Sequence, residues 1–193
     1  VDCTGHGVSG AFMSMIGSDL LNQIVIEKKI KEPGRVLEEM DKGIKLAFAQ
    51  SAKEFESDQG MDVSLVRIDR THKTLQFAGA QRPLFIFMDN ELIELEGDKV
   101  SISCADELEK TFQTHPLSYK DGAAIYLFSD GITDQFGGER GKKFMVRRVR
   151  DFLTENHRNK MADQHTSLIQ TFDDWRGKEH NQIDDVMLMG IRL

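Results

Sequence analysis

Apolar positions early in the chain recur at helical spacing. Val8, Phe12, Met15, Ile16, Leu20 and Ile24 predict a helix over residues 8–29. Val36, Leu37, Met40, Ile44 and Phe48 predict a second helix over about 33–49, opened by Pro33 in its first turn. From Met61 the period falls to two. "MDVSLVRID" alternates as a strand does, and "THKTLQFAGA", "PLFIFMD" and "NELIELEG" follow as short runs separated by turn residues. Asp89-Asn90 marks a hairpin turn, and the runs together predict an antiparallel meander. Residues 98–122 are mixed, with a turn at "YKDG". "AAIYLFSDG" predicts a buried strand ending at Ser129, Asp130 and Gly131. Helices return at about 143–155 and 160–175, and "DDVMLMGIRL" closes the chain as an apolar strand behind two aspartates. Strands joined by hairpins and helices in separate groups argue an α+β fold, with helices packed on sheets, and argue against a doubly wound parallel sheet.

The bulk properties narrow the class. The 193 residues suffice for one domain with a sizeable core. A formal net charge of −7 removes the basic face that phosphate backbones reward, so no nucleic-acid partner is expected. Cys3 and Cys104 give neither a disulfide framework nor zinc spacing, and read as reduced thiols of a cytoplasmic domain. No apolar run approaches 18 residues, so no membrane segment is predicted within the chain. Val1 opens directly on a chemistry-bearing motif, and the expectation is one domain over residues 1–193 that is incomplete at its N-terminus.

Three places share one arrangement. Asp2 precedes the glycine turn of "DCTGHG", Asp130 ends a strongly apolar strand before Gly131, and Asp184 and Asp185 stand at the mouth of the last strand. Each puts a short carboxylate at the edge of a buried element. Hard cations such as Mg²⁺ and Mn²⁺ prefer such oxygen ligands. Any one Asp-Gly alone is ordinary turn chemistry, and a lone histidine such as His6 is more often a capping or core residue. The weight lies in the set and its order.

"DCTGHGVSGAFMS", "GMDVSLVRID", "LFSDGITDQFGG" and "DDVMLMGIRL" resemble, in order and over nearly the whole chain, the signature segments of the PPM (PP2C-like) metal-dependent serine/threonine phosphatases, in their bacterial SpoIIE/RsbU-type branch. The resemblance implies an antiparallel β-sandwich flanked by helix pairs, with N-terminal strands missing from this chain. It implies two Mn²⁺ or Mg²⁺ ions, with metal ligands at Asp2, the main-chain carbonyl of Cys3, Asp130 and Asp184. His6 matches a histidine with a proton-handling role. Asp185 and Arg82 are secondary candidates, for a metal and for the substrate phosphate respectively. Gln81 stands where some relatives carry an acid for a third metal.

The implied reaction is hydrolysis of phosphoserine or phosphothreonine on a regulatory protein by a metal-activated water. The implied substrate is a phosphorylated STAS (anti-anti-sigma) protein, with an upstream sensor domain, attachment to a sensor or membrane protein, and a homodimer as the expected context. The two helices after "DCTGHG" are the expected regulatory lever, and the glycine-rich, charged "DQFGGERGKKF" is an expected exposed loop beside Asp130. A second reading is a partner-gated or inactive binding module on the same fold. A third, a nucleotide phosphodiesterase, is weakened by the absence of a His-Asp dipeptide among the six scattered histidines.

Overall fold

The computed structural model describes residues 1–4, 7–49, 60–103 and 109–193. His6 and Cys104 lie outside the described residues. The chain divides into two compact units, residues 1–84 with 95–119 and residues 85–94 with 120–193.

The first unit carries β1 (Asp2–Cys3), α1 (Gly7–Asn22) continued by a π-helical turn (Gln23–Glu27), α2 (Pro33–Ala49), β2 (Gly60–Asp69), β3 (Thr74–Ala80), β6 (Ile102–Ser103) and β7 (His115–Ser118). Its sheet runs β1-β2-β3-β7, with β6 also on β2, and every pairing is antiparallel. α2 behaves as its spacing predicts: Val36, Leu37, Met40, Ile44 and Phe48 are all buried, with Met61, Val63 and Ala78 in the same core. α1 does not. Val8 is 86% exposed, Phe12 52% and Met15 70%. The buried line is instead Gly10, Met13 and Gly17, with Ile16 and Leu20 half-buried and Ile24 buried on the π-turn. The face that carries Met13, Ile16, Gly17 and Leu20 lies against the core, and the Met61 side chain fills the space over Gly17, where a Cβ would stand 2.8 Å from Met61 Cε. The predicted stripe therefore holds in its second half, at Ile16, Leu20 and Ile24, and fails at Val8, Phe12 and Met15.

The second unit carries β4 (Leu84–Met88) and β5 (Glu91–Leu95), β8 (Ala124–Phe128), α3 (Asp130–Asp134), β9 (Phe136–Gly137), β10 (Lys142–Lys143), α4 (Met145–Asn156), α5 (Met161–Arg176) and β11 (Leu188–Arg192). Its main sheet runs β11-β8-β4-β5, and β9 and β10 form a small hairpin. Asp89 and Asn90 both adopt positive φ at the β4–β5 turn, as a two-residue hairpin demands. The predicted meander is therefore corrected in one respect. β2 and β3 pair, but β4 leaves their sheet. The chain breaks out at "AQRP", where Gln81 takes φ 62° and Pro83 has no N–H to continue a ladder. Phe85, Phe87, Tyr126, Phe128, Phe144, Val149, Phe152 and Phe172 build this unit's core.

Candidate metal and phosphate site

Asp2 sits on a two-residue strand whose place is dictated by β2. Asp2 is in register with Asp62 and Cys3 with Met61, and the Thr4 N–H reaches the Gly60 carbonyl at 2.9 Å. Strand alternation buries Met61 and Val63 and leaves Asp62 half-buried between them. Two carboxylates thus oppose each other across adjacent strands, an arrangement that repels unless a cation intervenes. Arg82 supplies it, with Nη2 at 3.2 Å from Asp2 Oδ2 and 2.9 Å from Asp62 Oδ2.

The acids of this unit extend inward through hydrogen bonds. Ser101 Oγ donates to Asp62 Oδ1 at 2.6 Å, and Lys110 Nζ donates to the Ser101 carbonyl at 2.9 Å. Lys110 also lies 3.5 Å from Asp41 Oδ1. Asp41 is 1% exposed on the apolar face of α2, and it is answered by Lys45 Nζ at 2.7 Å and by the Ser103 N–H at 3.2 Å. A continuous polar path therefore runs Asp41–Lys110–Ser101–Asp62–Arg82–Asp2. Sequence reasoning missed Asp62, Ser101, Lys110 and Asp41. The sequence around Asp62 marks it only as an outward position of a strand, between Met61 and Val63. Asp41 was readable as a charge four residues after Leu37 and three before Ile44, inside the stripe predicted to be core.

Asp130, Asp184 and Asp185 belong to the second unit. Ser129 fastens them together: its N–H donates to the Met187 carbonyl at 3.0 Å, its Oγ donates to the Asp185 carbonyl at 2.9 Å, and the Met187 N–H donates to Oγ at 3.0 Å. Gly131 allows the approach, since a Cβ there would stand 2.3 Å from the Asp185 carbonyl oxygen. Asp130 is half-buried at the start of α3, and Asp184 and Asp185 are exposed, with Asp184 Oδ1 accepting the Asp185 N–H at 2.7 Å. The "SDG" and "DD" segments, 54 residues apart, are thus neighbours by backbone hydrogen bonding.

Of the predicted residues, Asp2, Cys3 and Arg82 stand together in the first unit, and Asp130, Asp184 and Asp185 in the second. Cys3 is a half-buried free thiol whose Sγ lies 3.4 Å from Ser14 Oγ. Among the described residues no three His, Cys, Asp or Glu side chains converge as a ready-made cation cage. The donor types still suit a hard cation: carboxylates, and a main-chain carbonyl at Cys3. The Asp2–Asp62 pair already requires a positive partner. Among the described residues no helix is long and apolar enough to cross a membrane.

The whole chain, residues 1–193, matches the family described as Stage II sporulation protein E (SpoIIE). Its backbone is similar to the SiaA-PP2C domain of Pseudomonas aeruginosa, with a TM-score of 0.86 and 29% identity over 99% of this chain and 73% of that one. The catalytic domain of the serine/threonine protein phosphatase PstP, solved with two manganese ions, is 14% identical with a TM-score of 0.63 over 96% of this chain and 82% of that one, a likeness of fold. Phosphoserine phosphatase RsbP of Bacillus subtilis (strain 168) is 24% identical over 136 residues, 69% of this chain. The chain spans about a third of the length of that relative, 32%. The mixed helix and antiparallel-sheet architecture expected from the sequence is that of these PP2C folds. The chain belongs to the SpoIIE family and has the PP2C-type phosphatase fold.

Proposed function

We propose that residues 1–193 form a metal-dependent phosphatase domain that hydrolyses phosphoserine or phosphothreonine on a regulatory protein of the STAS type. The observation that carries the reading is the locking of Ser129-Asp130-Gly131 against Asp184-Asp185, which draws two distant acidic motifs to one strand end. The phosphoserine activity named for RsbP and the two manganese ions named for PstP support it.

Asp2 with the Cys3 carbonyl would hold one divalent cation, and Asp130 with Asp184 a second, with Asp185 in reserve. Bound there, Mn²⁺ or Mg²⁺ supplies a lowered water pKa and offsets charge on the phosphoryl oxygens. The chain's own groups do the rest. Arg82, already poised between two carboxylates, exchanges Asp2 for a phosphate oxygen, a geometry its guanidinium suits. His6 delivers a proton to the departing serine or threonine oxygen. Asp62 keeps Arg82 oriented when Asp2 is engaged.

The test offers the purified protein two substrates, a serine-phosphorylated STAS protein and a phosphotyrosine peptide, with Mn²⁺ present. Phosphate release confined to the first supports the reading, and release from neither overturns it. A second reading, gating by a partner, draws on the exposed Val8, Phe12 and Met15 of α1, whose helix follows the Asp2 strand directly. Under it, Phe12→Ser changes the response to an upstream sensor domain or a second copy without changing the basal rate.

A further inference from the structure

The stretch from Asp134 to Arg150 has a charge opposite to that of the protein. Six Lys and Arg stand against Asp134 and Glu139, a net of +4 within a chain of −7, so the remaining residues carry −11. The β9–β10 hairpin, the start of α4 and Trp175 of α5 enclose a cleft of about 590 Å³ with Arg140, Lys142, Arg147 and Arg148 in its wall.

Three observations set this cleft apart from an ordinary solvated face. The first is the state of the cations. Arg140 and Lys142 have no acidic partner among the described residues, and Arg147 is 85% exposed by its side chain and only loosely near Asp151, at 3.8 Å. Lys143 pairs with Asp134 at 2.7 Å, which ties the hairpin to the helix that begins at Asp130. The second is preorganisation. The Arg148 guanidinium lies 3.9 Å over the Trp175 ring, which fixes its orientation and lowers the ordering entropy lost on binding. The third is Met145. It holds φ 69°, a left-handed conformation uncommon for a non-glycine residue, and the residue is 57% exposed in the cleft wall while the adjacent Phe144 is buried. The cleft therefore offers an apolar contact within a ring of cations, with Glu139 and Asp151 as the two acids in its wall.

We infer that this cleft is the docking site for an acidic, partly apolar segment of the phosphoprotein substrate, an inference that rests on the phosphatase reading. Charge complementarity selects the partner's chemistry and speeds its encounter. A concave wall suits a peptide segment better than a lipid surface, and a cluster confined to one hairpin and one helix turn is too short for a nucleic-acid track.

The test measures fluorescence anisotropy of a labelled, unphosphorylated twelve-residue peptide rich in Asp and Glu with one central Leu, against its Asn/Gln counterpart, titrated with the whole protein. The acidic peptide is expected to bind at least about tenfold more tightly, and the preference to shrink as salt rises. Arg140→Gln with Arg147→Gln, and separately the charge-reversing Arg140→Glu with Arg147→Glu, should abolish the preference while leaving p-nitrophenyl phosphate turnover and Tm unchanged. Equal binding of the two peptides, an intact preference in both double variants, or tighter binding to phosphatidylserine vesicles or duplex DNA than to the acidic peptide would overturn the inference. Absence of p-nitrophenyl phosphate turnover in the unmodified protein would instead sink the phosphatase reading, and the peptide preference would be read independently of it.

Discussion

Asp2 and Asp62 face each other across β1 and β2, and both carboxylates contact the same nitrogen of Arg82. The arginine occupies the place where the fold needs positive charge. Arg82→Gln keeps a hydrogen-bonding side chain and removes that charge. The variant should lose about 1–3 kcal/mol of stability without metal, from two partly buried acids left facing each other. Mn²⁺ should then raise its Tm by more than it raises that of the parent protein. Thermal unfolding of both proteins with and without Mn²⁺ checks this, and an equal or smaller Mn²⁺ shift in the variant would refute the link between Arg82 and the metal.

Asp130 and Gly131 have separable roles. Asp130→Asn preserves the turn and should reduce phosphate release by about two orders of magnitude or more at nearly unchanged Tm. Gly131→Ala drives a Cβ into the Asp185 carbonyl and should cost about 1–3 kcal/mol of stability as well as activity. Parallel activity and melting measurements separate the two. Wild-type rates for Asp130→Asn would remove it from the ligand set.

The buried carboxylate on α2 anchors the far end of the polar path. Asp41→Ala leaves Lys45 and Lys110 without their shared partner, and should destabilise by about 3–5 kcal/mol. Lys110→Ala should cost less, because Lys45 still answers Asp41. Chemical denaturation of the two variants gives the order, and the reverse order would show that Lys110 is the more important partner.

Much of this was legible in the sequence because its signals are local. The α2 stripe is regular enough that every predicted core residue is buried, and the Asp89-Asn90 turn has its expected backbone. Asp2, Asp130 and Asp184-Asp185 stood out as acids at strand ends, and the structure joins the last two segments through Ser129. What stayed hidden depends on non-local approach. In α1 the predicted Ile16, Leu20 and Ile24 do pack inward, while Val8, Phe12 and Met15 stay exposed and Gly17 lies under Met61, 44 residues away. The role of Asp62 arises only when β1 is laid beside β2. Asp41 stands out in the sequence as a charge inside the α2 stripe, but the Lys110 and Ser103 that answer it come from another part of the chain.

Tyr126 gives a pH signature to the second unit. Burial raises its phenol above the ordinary value of about 10, with the positive charge of Arg192 opposing the rise, and the O–H donates to Gln164 Oε1 at 2.8 Å. The folded state therefore keeps its proton to higher pH than the unfolded state does. The resulting stability is fully present below about pH 10 and is lost as pH rises through the folded-state value. Tyr126→Phe should flatten the alkaline decline in Tm above pH 10. An unchanged decline would assign alkaline unfolding to other groups.

The most direct test of the central claim is phosphate release from a phosphoserine peptide by the whole protein before and after exhaustive chelation, followed by readdition of Mn²⁺. Activity is expected to fall by about two orders of magnitude or more on chelation and to return with Mn²⁺. Asp2→Asn and Asp130→Asn should show no such return. Turnover that survives chelation undiminished, or that both variants retain, would contradict the claim.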